Sequence, residues 1–180
     1  MTGRPGASRG AVPGFCRACL ACLVLAAATP AGAAEEVLEL PGGRELAYTL
    51  VDASARLPSA APTAIRILEH LANGRIDEAA ALSNAPERRR EVLESYRAKV
   101  GDGTFRDLYA RYLEPQNHVM AEVAIGAHRL LVWSLGDAEG QVAGQFFVEV
   151  GGRFLMDDVP SATRRDLRLV LEHYRRRAPR

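Results

Sequence analysis

The apolar period of this chain changes at Pro115, and that change limits what it can fold into. Between Pro62 and Tyr112 apolar residues recur every three or four positions, the spacing of helices with one buried face. Pro62-Thr63 opens a first helix with the stripe Ile65, Leu68, Leu71 and Ala72, and Asn73-Gly74 stops it. Ile76, Ala79, Ala80 and Leu82 predict a second, short helix. Pro86 suits the first position of a third, with the stripe Leu93, Tyr96 and Val100 and with the pairs Glu87–Arg90 and Glu94–Arg97 on its solvent side. Gly101 and Gly103 break it. Phe105, Leu108, Tyr109 and Tyr112 make a fourth, ended by Pro115.

Beyond Pro115 the period is two. Strands are predicted over 118–125, 127–135, 141–150 and 153–159, joined by Gly126, by the run 136–140 and by Gly151-Gly152. Short glycine turns imply an antiparallel meander. The second strand is apolar on both faces, Leu131, Trp133 and Leu135 on one and Leu130 and Val132 on the other, so it must be covered on both sides. Helices can cover one face. The other needs an N-terminal hairpin or a second subunit, which makes a homodimer through the sheet an expectation. Ser161 caps a last helix whose stripe is Leu167, Val170, Leu171 and Tyr174. The class is therefore α+β.

The N-terminal part reads differently. Arg4, Arg9 and Arg17 form a basic start, an apolar run follows from Ala18 to Ala28, and Thr29-Pro30 precedes the small-residue site Ala31-Gly32-Ala33. That is the order of a secretory signal peptide. The apolar core is about eleven residues, short of the roughly 20 that span a bilayer. The expected product is an exported bacterial protein, periplasmic or secreted, cleaved near Ala33. Residues 34–61 then hold a β-hairpin around Pro41-Gly42-Gly43-Arg44 and an Ala/Ser/Pro-rich linker, and 62–180 form the main domain.

Cleavage there removes Cys16, Cys19 and Cys22, the 3 cysteines of the chain. What remains has no disulfide, thiol nucleophile or cysteine metal site, so its core alone must hold it. The 23 basic residues fall to 20 against 22 acids, and nothing in that balance suggests nucleic acid as a partner.

Helices followed by a four-strand antiparallel meander resemble the NTF2-like (cystatin-like) superfamily. Two local likenesses carry the resemblance: the helix pair Leu71-Ala72-Asn73-Gly74-Arg75-Ile76-Asp77-Glu78-Ala79-Ala80-Ala81-Leu82, and the hairpin Phe146-Phe147-Val148-Glu149-Val150-Gly151-Gly152-Arg153-Phe154-Leu155-Met156. The likeness covers about 62–159 and points to the exported bacterial branch. It implies N-terminal helices packed on a curved antiparallel sheet of about four strands, forming a cone. The leading hairpin and the extra C-terminal helix depart from that pattern. The fold is a container that serves isomerases, cyclases, dehydratases and binding proteins alike, so it does not choose a function.

Two readings follow. The first is a non-catalytic module that binds a small apolar ligand or a protein partner, with Trp133, Phe146, Phe154 and Met156 lining the cone. The second is a small acid–base enzyme. If Phe154 and Met156 point inward, Asp158 shares their face, and Tyr109 and Tyr112 reach the mouth as hydrogen-bond donors. A carboxylate in an apolar pocket holds its proton to higher pH, which proton transfer near neutrality requires. His118 and His128, with Glu122, are too few and too loosely placed for a metal site, and no ligand set for a metal or cofactor is read. Neither a nucleophile elbow nor a phosphate loop is present. From 164 to 180 there are seven arginines and two acids. That excess allows weak docking to an anionic membrane, against the plainer reading of a solvated helix face.

Overall fold

The computed structural model describes residues 33–52, 58–136 and 141–177. The signal-peptide expectation thus falls almost wholly outside the described residues, as does the middle of the linker. The first described residue, Ala33, opens β1 (Ala33–Leu40), which pairs along its whole length with β2 (Arg44–Val51) around the Pro41-Gly42-Gly43 turn. Four helices follow: α1 (Ala61–Ala72), α2 (Ile76–Ala80), α3 (Pro86–Val100) and α4 (Asp102–Arg111). Then come β3 (His118–Ile125), β4 (His128–Ser134), β5 (Val142–Val150), β6 (Arg153–Met156) and α5 (Ala162–Arg177).

The sheet has six strands in the order β1 to β6, all neighbours antiparallel, rather than about four. The difference lies in one seam. Thr49, Leu50 and Val51 of β2 pair with Ala124, Val123 and Glu122 of β3 and add the hairpin to the meander. A pairing between strands so far apart in sequence leaves no local signal. The β5–β6 turn does leave one. Gly151 and Gly152 have φ of 57° and 75°, the left-handed pair that a two-residue hairpin loop of matching twist requires.

Helices α1 to α4 pack on one face. Their core joins Ala64, Ile67, Leu68, Leu71, Ile76, Ala79, Leu93 and Phe105 to Leu131, Trp133, Phe147, Phe154 and Met156 of the sheet. The buried stripe of α1 is Ala64, Ile67, Leu68 and Leu71, and Ile65 is 37% exposed. The predicted stripe was rotated because Ala64 carries little apolar weight in a pattern, yet its small side chain is what lets the helix approach closely. Along α3 only Leu93 is fully buried. Tyr96, predicted as core, is exposed and leans on the Phe105 ring at 6.1 Å. Arg90 pairs with Asp77 of α2 rather than with Glu87.

The opposite face is covered within the same chain. Leu167, Val170 and Leu171 of α5 cluster with Val123, Leu130 and Val132, and Leu38 and Tyr48 of the hairpin join them. The structural need for a second subunit disappears. Strand β4 is the shared wall, with Leu130 and Val132 in one core and Leu131 and Trp133 in the other.

The sheet's edges matter for the site. The outer strand β1 carries Glu35, Glu36 and Glu39, charges that discourage edge-to-edge pairing. At the other edge, β6 covers β5 only from Phe147 to Val150. The loop between α2 and α3 closes onto β6: the Met156 N–H donates to the Leu82 carbonyl (2.8 Å) and the Asn84 N–H to the Met156 carbonyl (3.0 Å). Among the described residues, 142–145 of β5 thus have no partner strand at the outer edge. No helix among the described residues is long and apolar enough to cross a membrane.

Candidate functional site

Where β6 ends, three elements converge. The 82–84 loop, paired on β6, carries Ser83 and Asn84 to the strand end. Helix α3 begins at Pro86 and brings Arg88 and Arg89. Asp157 and Asp158 leave the strand between them.

Their bonds form a closed network. Asn84 uses both ends of its amide: Nδ2 donates to Asp157 Oδ1 and Oδ1 accepts from the Asp158 N–H, each at 2.8 Å. Asp158 is gripped twice by Arg89, at 2.7 Å from Nε and 2.5 Å from a terminal nitrogen. It also accepts the Ser83 hydroxyl at 2.6 Å. Two parallel bonds to one guanidinium are the strong, geometrically specific form of an ion pair. The side chain of Asp157 is 2% exposed, and its second oxygen lies 3.0 Å from His128 Nδ1. A carboxylate on Nδ1 fixes the imidazole so that Nε2 faces outward, the base-and-orienter half of a hydrolytic triad. No hydroxyl is hydrogen-bonded to His128 among the described residues, and the Ser83 hydroxyl goes to Asp158 instead.

Asp158 therefore does not sit in an apolar cone. Phe154 and Met156 belong to the helical core, but Asp158 lies beyond the strand in an ion pair. Tyr109 and Tyr112 are half-buried on α4 and its end. Burial raises both phenols above their ordinary range, with Arg89 partly opposing the rise at Tyr109. Tyr109 packs edge-on against Phe105 and Tyr112 edge-on against Trp133. The structure does not bring either tyrosine into bonding contact with Asp158.

The four residues expected to line one pocket are divided. Trp133, Phe154 and Met156 belong to the helical core, whereas Phe146 faces α5. Phe146 and Phe147 are adjacent on a strand, so only one of them can face the helices.

A cavity of about 270 Å³ opens at the uncovered edge of β5. Ile67 and Leu71 of α1, Leu93 of α3, Tyr109 of α4 and Met156 supply its apolar wall, and Phe146 joins them from the α5 side, so two of the four expected pocket residues, Met156 and Phe146, line it while Trp133 and Phe154 do not. Gln145, Arg89, Asp157 and Arg164 supply the polar one. Gln145 is held by the Trp133 indole N–H, which donates to its Oε1 at 3.0 Å. A larger concavity lies near Ala33, Asp52, Ser59 and Met120, but its rim joins the segments outside the described residues, and no role is assigned to it.

Sequence reasoning missed the role of Glu122. It is 7% exposed, accepts the Ala60 N–H at 2.9 Å and the Ser59 hydroxyl at 2.5 Å, and lies 3.8 Å from Arg129 Nε. It anchors the start of α1, where a negative charge meets exposed N–H groups. The signal was present as a single acid inside an otherwise apolar strand.

His118 pairs with Ser134 and His128 with Ile125, so the two histidines sit at opposite ends of the β3–β4 hairpin. No group of three or more potential metal ligands gathers among the described residues. On α5, Arg175 is taken up by Glu172 and by the Val142 carbonyl. His173 is pushed below its usual range by burial and by Arg177 and Arg176. No protein-family model matches the chain, and no curated protein or solved structure is significantly similar to it.

Proposed function

We propose that the chain is an exported, NTF2-like binding domain that holds a small apolar ligand between its helical layer and its sheet. The cavity at the β5 edge carries this reading. Its volume of about 270 Å³ lies just below the usual range for small-molecule sites, roughly 300–1,000 Å³. Its walls join an apolar surface to the convergent polar groups of Arg89, Gln145, Asp157 and Arg164, the kind of groups that fix a ligand's orientation.

The state of the carboxylates favours binding over catalysis. Asp157, Asp158 and Glu122 each accept two or more hydrogen bonds that hold elements together. A general base needs a lone pair directed at substrate. The helix-then-meander order supports the NTF2-like architecture, and the basic, apolar, small-residue order of the N-terminus supports export.

The test is native mass spectrometry of the chain recovered from its producing cell, together with titration of the uncharged dye Nile red. Retained small-molecule mass or saturable dye binding is the expected outcome. Leu93→Phe, which adds volume inside the cavity, should reduce dye binding while circular dichroism stays unchanged. A bare mass together with no dye binding would overturn the reading.

A further inference from the structure

We infer that the ligand is an anionic amphiphile, a carboxylate on an apolar body, with its head between Arg88, Arg89 and Arg164. This deepens the binding reading above and rests on it. A second recess of about 110 Å³ adjoins the cavity. Its walls are Arg88, Arg89, Val92, Asp158 and Arg164, and it shares Arg89 and Arg164 with the larger space. The two spaces together have the shape of an amphiphile, with an apolar chamber on one side of a shared arginine wall and a cationic chamber on the other.

The charges are unbalanced. Three guanidiniums face Asp158 alone in the recess, which leaves two positive charges. Asp157 lines the inner chamber, and with it counted one positive charge remains on the lining residues. A single carboxylate meets that excess.

The hydrogen bonds are unbalanced too. Arg89 is held by Asp158 through Nε and one terminal nitrogen, which also meets the Met156 sulfur, so its guanidinium is a fixed wall. Arg164 is not engaged in that way. Its Nε is buried and donates to nothing, and its guanidinium rests on the Phe146 ring at 5.5 Å from the centroid. A buried donor without an acceptor has lost its water and gained nothing in return, a deficit that an incoming oxyanion would fill. Arg88 makes no ion pair or side-chain hydrogen bond within the described chain. The two unengaged arginines come from α3 and α5, on opposite sides of the sheet, and meet only because β6 is too short to separate them.

Octanoate, octan-1-ol and octylamine test this on the whole chain, with Trp133 fluorescence and calorimetry as readouts. Octanoate should bind about tenfold more tightly than octan-1-ol, the yield of one charge-assisted hydrogen bond. Octylamine should bind more weakly than either. Raised salt should narrow the gap between acid and alcohol. Arg164→Gln and Arg88→Gln should each weaken octanoate, and Arg88→Gln, which lies outside the apolar cavity, should leave octan-1-ol unchanged. If Arg164→Gln fails to fold, Arg88→Gln, at an exposed side chain, decides the matter. Equal affinity for acid and alcohol, or arginine variants that leave octanoate untouched, would remove the inference while the apolar binding reading stands. If none of the three ligands binds, the binding reading itself falls and this one with it.

Discussion

Asn84 does more structural work than its position in a short loop suggests. It satisfies Asp157 with one end of its amide and the backbone of Asp158 with the other, and so ties the α2–α3 loop to the end of β6. Asn84→Ala leaves a buried carboxylate oxygen and a backbone N–H without partners. A loss of about 2–3 kcal/mol in chemical denaturation is expected, since one of the two orphaned groups is charged. Ser83→Ala removes a hydroxyl from Asp158, which keeps both of its Arg89 bonds, so a smaller loss is expected. The sequence showed Asp157-Asp158 as a pair of acids before a proline. It could not show their partners, because Ser83, Asn84 and Arg89 lie more than sixty residues away and meet them through a bridge to Met156 that follows no local period.

At the scale of elements, the helices and strands were legible wherever one face is buried and the other wet. The stripe of α5 shows this: Leu167, Val170 and Leu171 are all buried. Legibility failed where a small residue makes the contact. Ala64 in α1 is one case, and Gly144 in β5 is the other. A Cβ on Gly144 would overlap Leu171 Cδ2 and stand 3.1 Å from Leu130 Cδ1. The glycine is where α5 presses on the sheet. Gly144→Ala should cost about 1–3 kcal/mol, the usual range for overpacking. Combined with Leu171→Ala, its cost should shrink, because the smaller side chain vacates the space. A double-mutant cycle read by urea midpoints measures that coupling. Additive losses would show that α5 shifts bodily instead.

For the whole molecule, two cores lie on opposite faces of one sheet, and tyrosines are set into both. Tyr109 and Tyr112 adjoin the helical core, and Tyr48 and Tyr174 the α5 core. Burial raises all four phenols above 10.0, and at Tyr48 the Glu36 carboxylate adds to the rise. The native state therefore keeps these protons at a pH where the unfolded chain has lost them. Their contribution to stability is complete below the unfolded value of about 10 and is lost as pH rises through the higher native values. Urea midpoints measured upward from neutrality should fall past pH 10, in step with the ultraviolet signal of tyrosinate. Tyr48→Phe should soften the fall.

The three-residue seam between β2 and β3 has a consequence for the order of events in folding. Every other strand in this sheet pairs with its immediate successor across a turn. Such pairs close short loops and form early. The seam instead joins Val51 to Glu122 across the whole helical segment, so the hairpin is expected to dock last and leave first. Because those few bonds are the same whichever chain offers them, crowded molecules can exchange hairpins without losing a contact, and the seam is where such swapped pairs would begin.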